Sequence, residues 1–173
     1  MKNEIKLKDG RFLNDEYFNV IENFIISFNQ AINNSNPKKL TYKYLNELLK
    51  NGFFSKNGEF DLRNKNIIVF SFGKCAHLMA EGLIDFMGPE KDMELLISSP
   101  NLDDYNPKHS YKDYCYKGGH PFSDINSIQA GSKAFDLAKN AGKESIVICL
   151  ISGGGSAMFE NLKDNFSLDD AIE

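Results

Sequence analysis

The chain opens with helical periodicity and then changes to alternating short apolar runs and amphipathic segments. Phe18, Ile21, Ile25, Phe28 and Ile32 recur at spacings of three and four, which predicts a helix starting near Asn14 or Asp15. Asn36-Pro37 then reads as the cap and first turn of a second helix. Its predicted buried face is Leu40, Tyr44, Leu45, Leu48 and Leu49, with Gly52 as terminator. A short turn between the two predicts an antiparallel helical pair over residues 14–52, with both stripes in a core.

After Gly58 the period changes. Asn66-Ile-Ile-Val-Phe70, Met93-Glu-Leu-Leu-Ile97 and Ser145-Ile-Val-Ile-Cys-Leu-Ile151 are nearly continuous apolar runs of strand length. The tyrosines between Ser110 and Tyr116 suggest one more strand. Between these lie a helix containing Ala76, Met79, Leu83 and Phe86, stopped by Gly88-Pro89, and another carrying Ile128, Phe135, Leu137, Ala138 and Ala141, closed by Gly142. Strands alternating with helices predict an α/β fold over residues 60–173. It is a three-layer, mostly parallel, Rossmann-like sheet with helices on both faces, preceded by the helical pair.

Composition narrows the function classes. The 173 residues carry a net charge of -4, with no Lys/Arg block, which argues against a nucleic-acid surface. No apolar run reaches the ~18 residues that cross a bilayer, and no signal-peptide core opens the chain. Cys75, Cys115 and Cys149 have neither disulfide-framework nor zinc spacing, so a reducing cytoplasm is expected. Only Arg11 and Arg63 are arginines, which is few for an enzyme that handles phosphate.

Three loops carry candidate chemistry. Ser152-Gly-Gly-Gly-Ser156 follows the last apolar run, and glycine amides at a strand end form a concavity for an anion. The competing reading is a flexible Gly/Ser turn. Gly73-Lys74 follows the first strand and places a cation at a helix start. Gly118-Gly-His-Pro-Phe-Ser-Asp124 offers His120 and Asp124. Asp124 suits proton acceptance or a divalent ion, and equally a helix N-cap. His120 before proline reads more simply as a packed loop residue. Gly73-Lys74 lacks the rest of a P-loop, and no Gly-x-Gly-x-x-Gly follows the first strand. Gly153-Gly-Gly-Ser-Ala157 is not a nucleophile elbow, and Cys75 has no His–Asp partner legible in sequence.

Phe72-Gly-Lys-Cys-Ala76 with Met79-Ala80, Gly119-His-Pro-Phe-Ser-Asp124, Leu150-Ile-Ser-Gly-Gly-Gly-Ser-Ala157 and Ser167-Leu-Asp169 occur in that order. Together they resemble the N-terminal domain of the glycerate 2-kinase family, whose C-terminal part is the MOFRL domain. The resemblance runs from about Ala31 to the end. It implies an ATP-dependent kinase that uses Mg²⁺ or another divalent metal to phosphorylate D-glycerate at its 2-hydroxyl, giving 2-phosphoglycerate. It implies catalytic roles for Lys74 and Asp124, with Asp124 also the metal ligand. Ser152, Gly153, Gly154, Gly155 and Ser156 would bind the nucleotide phosphates, and Gly73 and His120 the substrate. In place of the family's small pair, Ser71-Phe72 sets a bulky ring where the backbone is expected to approach ligand.

Relatives continue beyond the point reached by Asp169-Asp-Ala-Ile-Glu173. The resemblance therefore implies a single incomplete α/β domain lacking the C-terminal MOFRL-type domain, with the absent half or a homo-oligomer as partner. A non-catalytic domain binding anions or sugar phosphates is the alternative. The 173-residue chain alone is expected to turn over ATP and glycerate little or not at all, which a coupled assay of the purified chain checks.

Overall fold

The computed structural model describes residues 15–50, 65–88, 91–103, 105, 112–163 and 165–172. The Asn14 cap, the Gly52 terminator and the boundary after Gly58 lie outside the described residues.

Four parallel strands form one sheet: β1 (Asn66–Phe72), β2 (Met93–Ser98), β3 (Lys112–Tyr116) and β4 (Ser145–Ile151), in the order β3-β2-β1-β4. The strand pairing sets Val69 opposite Leu95 on one side and Ile148 on the other. β1 is apolar throughout its middle because side chains from both of its faces enter a core. Ile67 and Val69 enter one cluster with Ala76, Ala80 and Leu83 of α3 (Ala76–Met87). Ile68 and Phe70 enter the other with Ala130, Ala134 and Leu137 of α4 (Ile125–Lys139). This is the expected three-layer arrangement.

The helices depart from expectation in which faces they bury. α1 (Asp15–Asn34) has the predicted extent, yet Ile25, Phe28 and Ile32 are exposed, Phe28 by 55%. An amphipathic stripe buries only against an opposing apolar surface, and no described element packs extensively on α1. The expected core between the two N-terminal helices is therefore corrected. α2 (Pro37–Lys50) begins as predicted, with Asn36 Oδ1 accepting from the Lys39 amide at 3.1 Å. It packs on α3 rotated relative to the predicted face, of which Leu45 still reaches the core cluster. Thr41 is buried and Tyr42 meets Phe86 edge-on at 6.1 Å, while Leu40 and Tyr44 are exposed. Gly82 explains this rotation, since a methyl group there would lie 2.3 Å from the Lys38 carbonyl oxygen. The glycine lets the α2 backbone approach, and Lys38 then reaches Glu81 and Asp85 at 3.2 and 3.1 Å.

α4 is rotated for a similar reason. Ala130, Ala134 and the predicted Leu137 face the sheet, and Gly131 lets the Glu160 backbone approach the helix, so Phe135 and Ala138 of the predicted face lie outside. The loop after β4 leads through α5 (Gly155–Met158) to α6 (Leu168–Ile172). Ser167 Oγ accepts from the Asp170 amide, and the Asp170 carboxylate accepts from the Ser167 amide at 2.7 Å. Ser167, whose motif carries part of the resemblance, thus caps α6.

Substituting Gly82→Ala forces the Lys38 carbonyl and α2 outward. It should destabilise the chain by about 1–3 kcal/mol in urea unfolding. On β3, partial desolvation and the Asp113 charge raise the thiol of Cys115, a residue still in contact with solvent, from 9.0 to about 11. The folded chain then holds a proton that the unfolded chain releases, so this group's stabilising effect declines as pH rises from 9.0 towards 11. Cys115→Ala should flatten part of that decline in a pH series of unfolding midpoints.

Candidate functional site

Connectivity creates the site before any side chain does. The chain runs outward from β1 through β2 to β3, then returns to the other side of β1 as β4. In an open parallel sheet, the crevice at such a reversal, outside the carboxyl ends of the strands, is where ligands bind. β1 ends there in Gly73-Lys74 and β4 in Ser152–Ser156.

The two loops are tied together. The Lys74 amide donates to the Gly153 carbonyl at 3.0 Å, and the Cys75 amide donates to Ser152 Oγ at 3.0 Å. Ser152 is held in turn, its amide donating to the Phe72 carbonyl at 3.0 Å. Gly73 has φ +115°, and a methyl group on it would sit 2.4 Å from Ser152 Oγ, so both conformation and space require glycine. The Gly73 amide donates to the Ser98 carbonyl at 3.0 Å, which anchors the lysine loop to β2 as well. Lys74 itself is exposed at this rim.

The third loop reaches the same rim from β3. His120 precedes a cis peptide bond to Pro121, and its ring lies against Gly154. A methyl group on Gly154 would be 2.9 Å from His120 Cδ2. Gly154 adopts φ +81°, turning the chain from β4 into α5. Gly155 packs under the loop on the Phe72 ring, and Ser156 is exposed beyond it. Gly153 differs from its neighbours: nothing lies within 4 Å of a methyl group placed there, so its α-carbon faces open space.

Asp124 has a structural partner. Its Oδ1 accepts from the Ser127 amide at 2.9 Å and its own amide donates to Ser127 Oγ at 3.3 Å, a capping box at the start of α4, while Ser127 Oγ also donates to Oδ1 at 2.9 Å. Ser127 Oγ also accepts from the Gly119 amide at 3.2 Å, so the cap positions the His120 loop. Both bonds to the carboxylate use a single oxygen. Among the described residues no group of three or more His, Cys, Asp or Glu side chains is arranged to hold a metal ion.

The Phe72 ring is not where sequence placed it. It stacks on Phe159 with centroids 4.2 Å apart and planes 3° from parallel, forming the floor of the glycine loop. Ser98 is a further contributor that sequence reasoning passed over. It is fully buried, and its Oγ donates to the Met158 carbonyl at 2.5 Å, tying the segment after the glycine loop to β2. The Ser98-Ser pair closing an apolar strand was the available signal, because hydroxyls at a strand end commonly bond neighbouring backbone.

A family described as "Domain of unknown function (DUF4147)" matches residues 24–173. The chain belongs to the DUF4147 family. Its relatives agree with the motif resemblance. A glycerate 2-kinase of Picrophilus torridus is 33% identical over 123 residues, covering 70% of this chain and 28% of the relative. A glycerate 2-kinase of Pyrococcus horikoshii is 31% identical over 117 residues, 65% of this chain and 24% of the relative. A D-glycerate 2-kinase of Thermotoga maritima is 27% identical over 109 residues, covering 60% and 24%. The crystal structure of the PH0495 protein from Pyrococcus horikoshii superposes with a TM-score of 0.54 at 30% identity. That match covers 66% of this chain and 25% of the other. The DUF4147 chain thus spans about a quarter of the length of the curated relatives it matches.

The two glycines on either side of the loop contact should respond differently to a methyl group. Gly73→Ala should lose about 2–3 kcal/mol of stability from strain and overlap with Ser152. Gly153→Ala should stay within about 0.5 kcal/mol of the parent in the same urea titration.

Proposed function

We propose that this chain forms the phosphate-handling part of an ATP-dependent kinase that phosphorylates D-glycerate at its 2-hydroxyl, giving 2-phosphoglycerate. The observation that carries the reading is the pair of hydrogen bonds joining the Lys74 and Ser152–Gly154 loops at the point where strand order reverses. The names of the relatives supply the substrate.

The residues fit a nucleotide phosphate. Gly153 leaves open space above the loop, and the exposed Lys74 stands on the adjoining loop. A lysine is a mobile point charge suited to phosphate oxygens, and backbone amides stabilise charge without themselves being ionised. In this reading Ser152, Gly153, Gly154, Gly155 and Ser156 bind the phosphates, and Lys74 stabilises the transferring group. Gly73 and His120 border the acceptor. A bound nucleotide would supply the phosphoryl group and Mg²⁺ would neutralise its charge, an ion generally held by one or two carboxylates plus phosphate oxygens. Asp124 would contribute the oxygen not used by its cap.

That cap also favours a second reading, a domain that binds anions or sugar phosphates without transferring them. One oxygen of Asp124 already accepts two bonds from Ser127, so it serves the cap rather than a substrate hydroxyl. The two readings separate by experiment. In a coupled assay of the protein as its reading frame encodes it, Lys74→Ala should lower kcat with ATP and D-glycerate by at least about a hundredfold. Gly153→Val should weaken nucleotide binding while the fold is retained. Asp124→Asn keeps an N-capping acceptor and removes the charge. A matching loss of kcat there, without loss of stability, supports transfer chemistry. Phosphate-ester binding by calorimetry that ignores divalent metal, with no turnover, would favour the second reading.

A further inference from the structure

Ser127 does more than a helix cap requires. A capping box needs two reciprocal bonds, here from the Ser127 amide to Asp124 Oδ1 and from the Asp124 amide to Ser127 Oγ. Ser127 is fully buried and makes three further bonds. Its Oγ donates to Asp124 Oδ1 at 2.9 Å and accepts from the Gly119 amide at 3.2 Å, and its carbonyl accepts from the Glu160 amide at 3.1 Å. The box itself asks for none of these.

Counting donors and acceptors shows what the hydroxyl fixes. A serine hydroxyl has one proton and two lone pairs. Both lone pairs are taken by amides, those of Gly119 and Asp124, so the proton goes to Asp124 Oδ1. That oxygen then holds two donors, while Oδ2 has no partner among the described residues. Ser127 also reaches the glycine turn from two directions. Through Gly119 it holds the residue next to His120, whose ring packs on Gly154. Through Glu160 it holds the chain leaving the turn, where α4 comes so close that a methyl group on Gly131 would strike the Glu160 carbonyl.

We propose that Ser127 is a positioning residue of the candidate site, acting through Asp124. It commits Oδ1 to the cap, leaves Oδ2 as the one carboxylate oxygen free for a ligand, and keeps the His120 loop and the glycine turn in one frame. Its effect on turnover rests on the kinase reading of Asp124, whereas the positioning itself rests on the hydrogen bonds alone.

The test compares Ser127→Thr with Ser127→Val, which share one shape and differ by the hydroxyl, so any cost of the added methyl group is common to both. Ser127→Ala against the parent gives the same contrast without that methyl group. Losing the hydroxyl should speed amide exchange at Gly119 by at least about tenfold. In the coupled assay with ATP and D-glycerate it should lower kcat by at least about tenfold, with KM for ATP within about threefold. Adding Asp124→Asn to both members of a pair should shrink that kcat ratio to about twofold or less, because no carboxylate is left to orient. A ratio that persists in the Asp124→Asn background marks a merely structural role and overturns the proposal. Equal Gly119 exchange with and without the hydroxyl also overturns it, whatever the turnover. A parent protein without turnover counts against the kinase reading, and the exchange comparison then decides the positioning.

Discussion

The arrangement of the candidate site depends on the junction between the ends of β1 and β4. Two amides on one loop donate to a carbonyl and a hydroxyl on the other, at 3.0 Å each. These bonds do more than satisfy polar groups at a strand end. They set Lys74 and the three glycines in a fixed relation, so a flexible lysine is tethered at its backbone beside a rigid turn. The sheet's order supplies the location, because β1 and β4 are neighbours only through the reversal of the chain. The same junction extends to β2 through Gly73 and Ser98, so three strand ends share one network.

The third loop joins by packing. The His120 ring fits against a glycine whose positive φ turns the chain into α5. Asp124 acts one step removed, capping α4 and fixing Ser127, which in turn holds Gly119.

Much of this was legible in the sequence because buried parallel strands have a local signature. Uncharged runs such as Ile67–Phe70 and Ile146–Ile151 declare themselves without knowledge of their neighbours. The glycine and lysine loops were legible because they interrupt those runs. Helix orientation was less so. Periodicity marks a stripe but not which edge of it meets the core, and that was decided by Gly82 and Gly131 on α3 and α4. Backbones approach at glycines, so Thr41 and Ala134 went inward while Tyr44 and Phe135 went out. Phe72 was misjudged for a related reason. A ring at a loop mouth suggests obstruction, whereas a partner 87 positions downstream, Phe159, gave it a place to stack.

That stacked pair has a consequence for how the loop can vary. Gly155 packs on Phe72, and Phe72 stacks on Phe159, so the turn is backed by a pair of aromatic plates rather than by a single side chain. Trimming either plate alone would let the turn subside and carry its amides away from Lys74. Substitutions at positions 72, 155 and 159 are therefore expected to be energetically coupled, the three acting as a single spacer rather than as separate side chains.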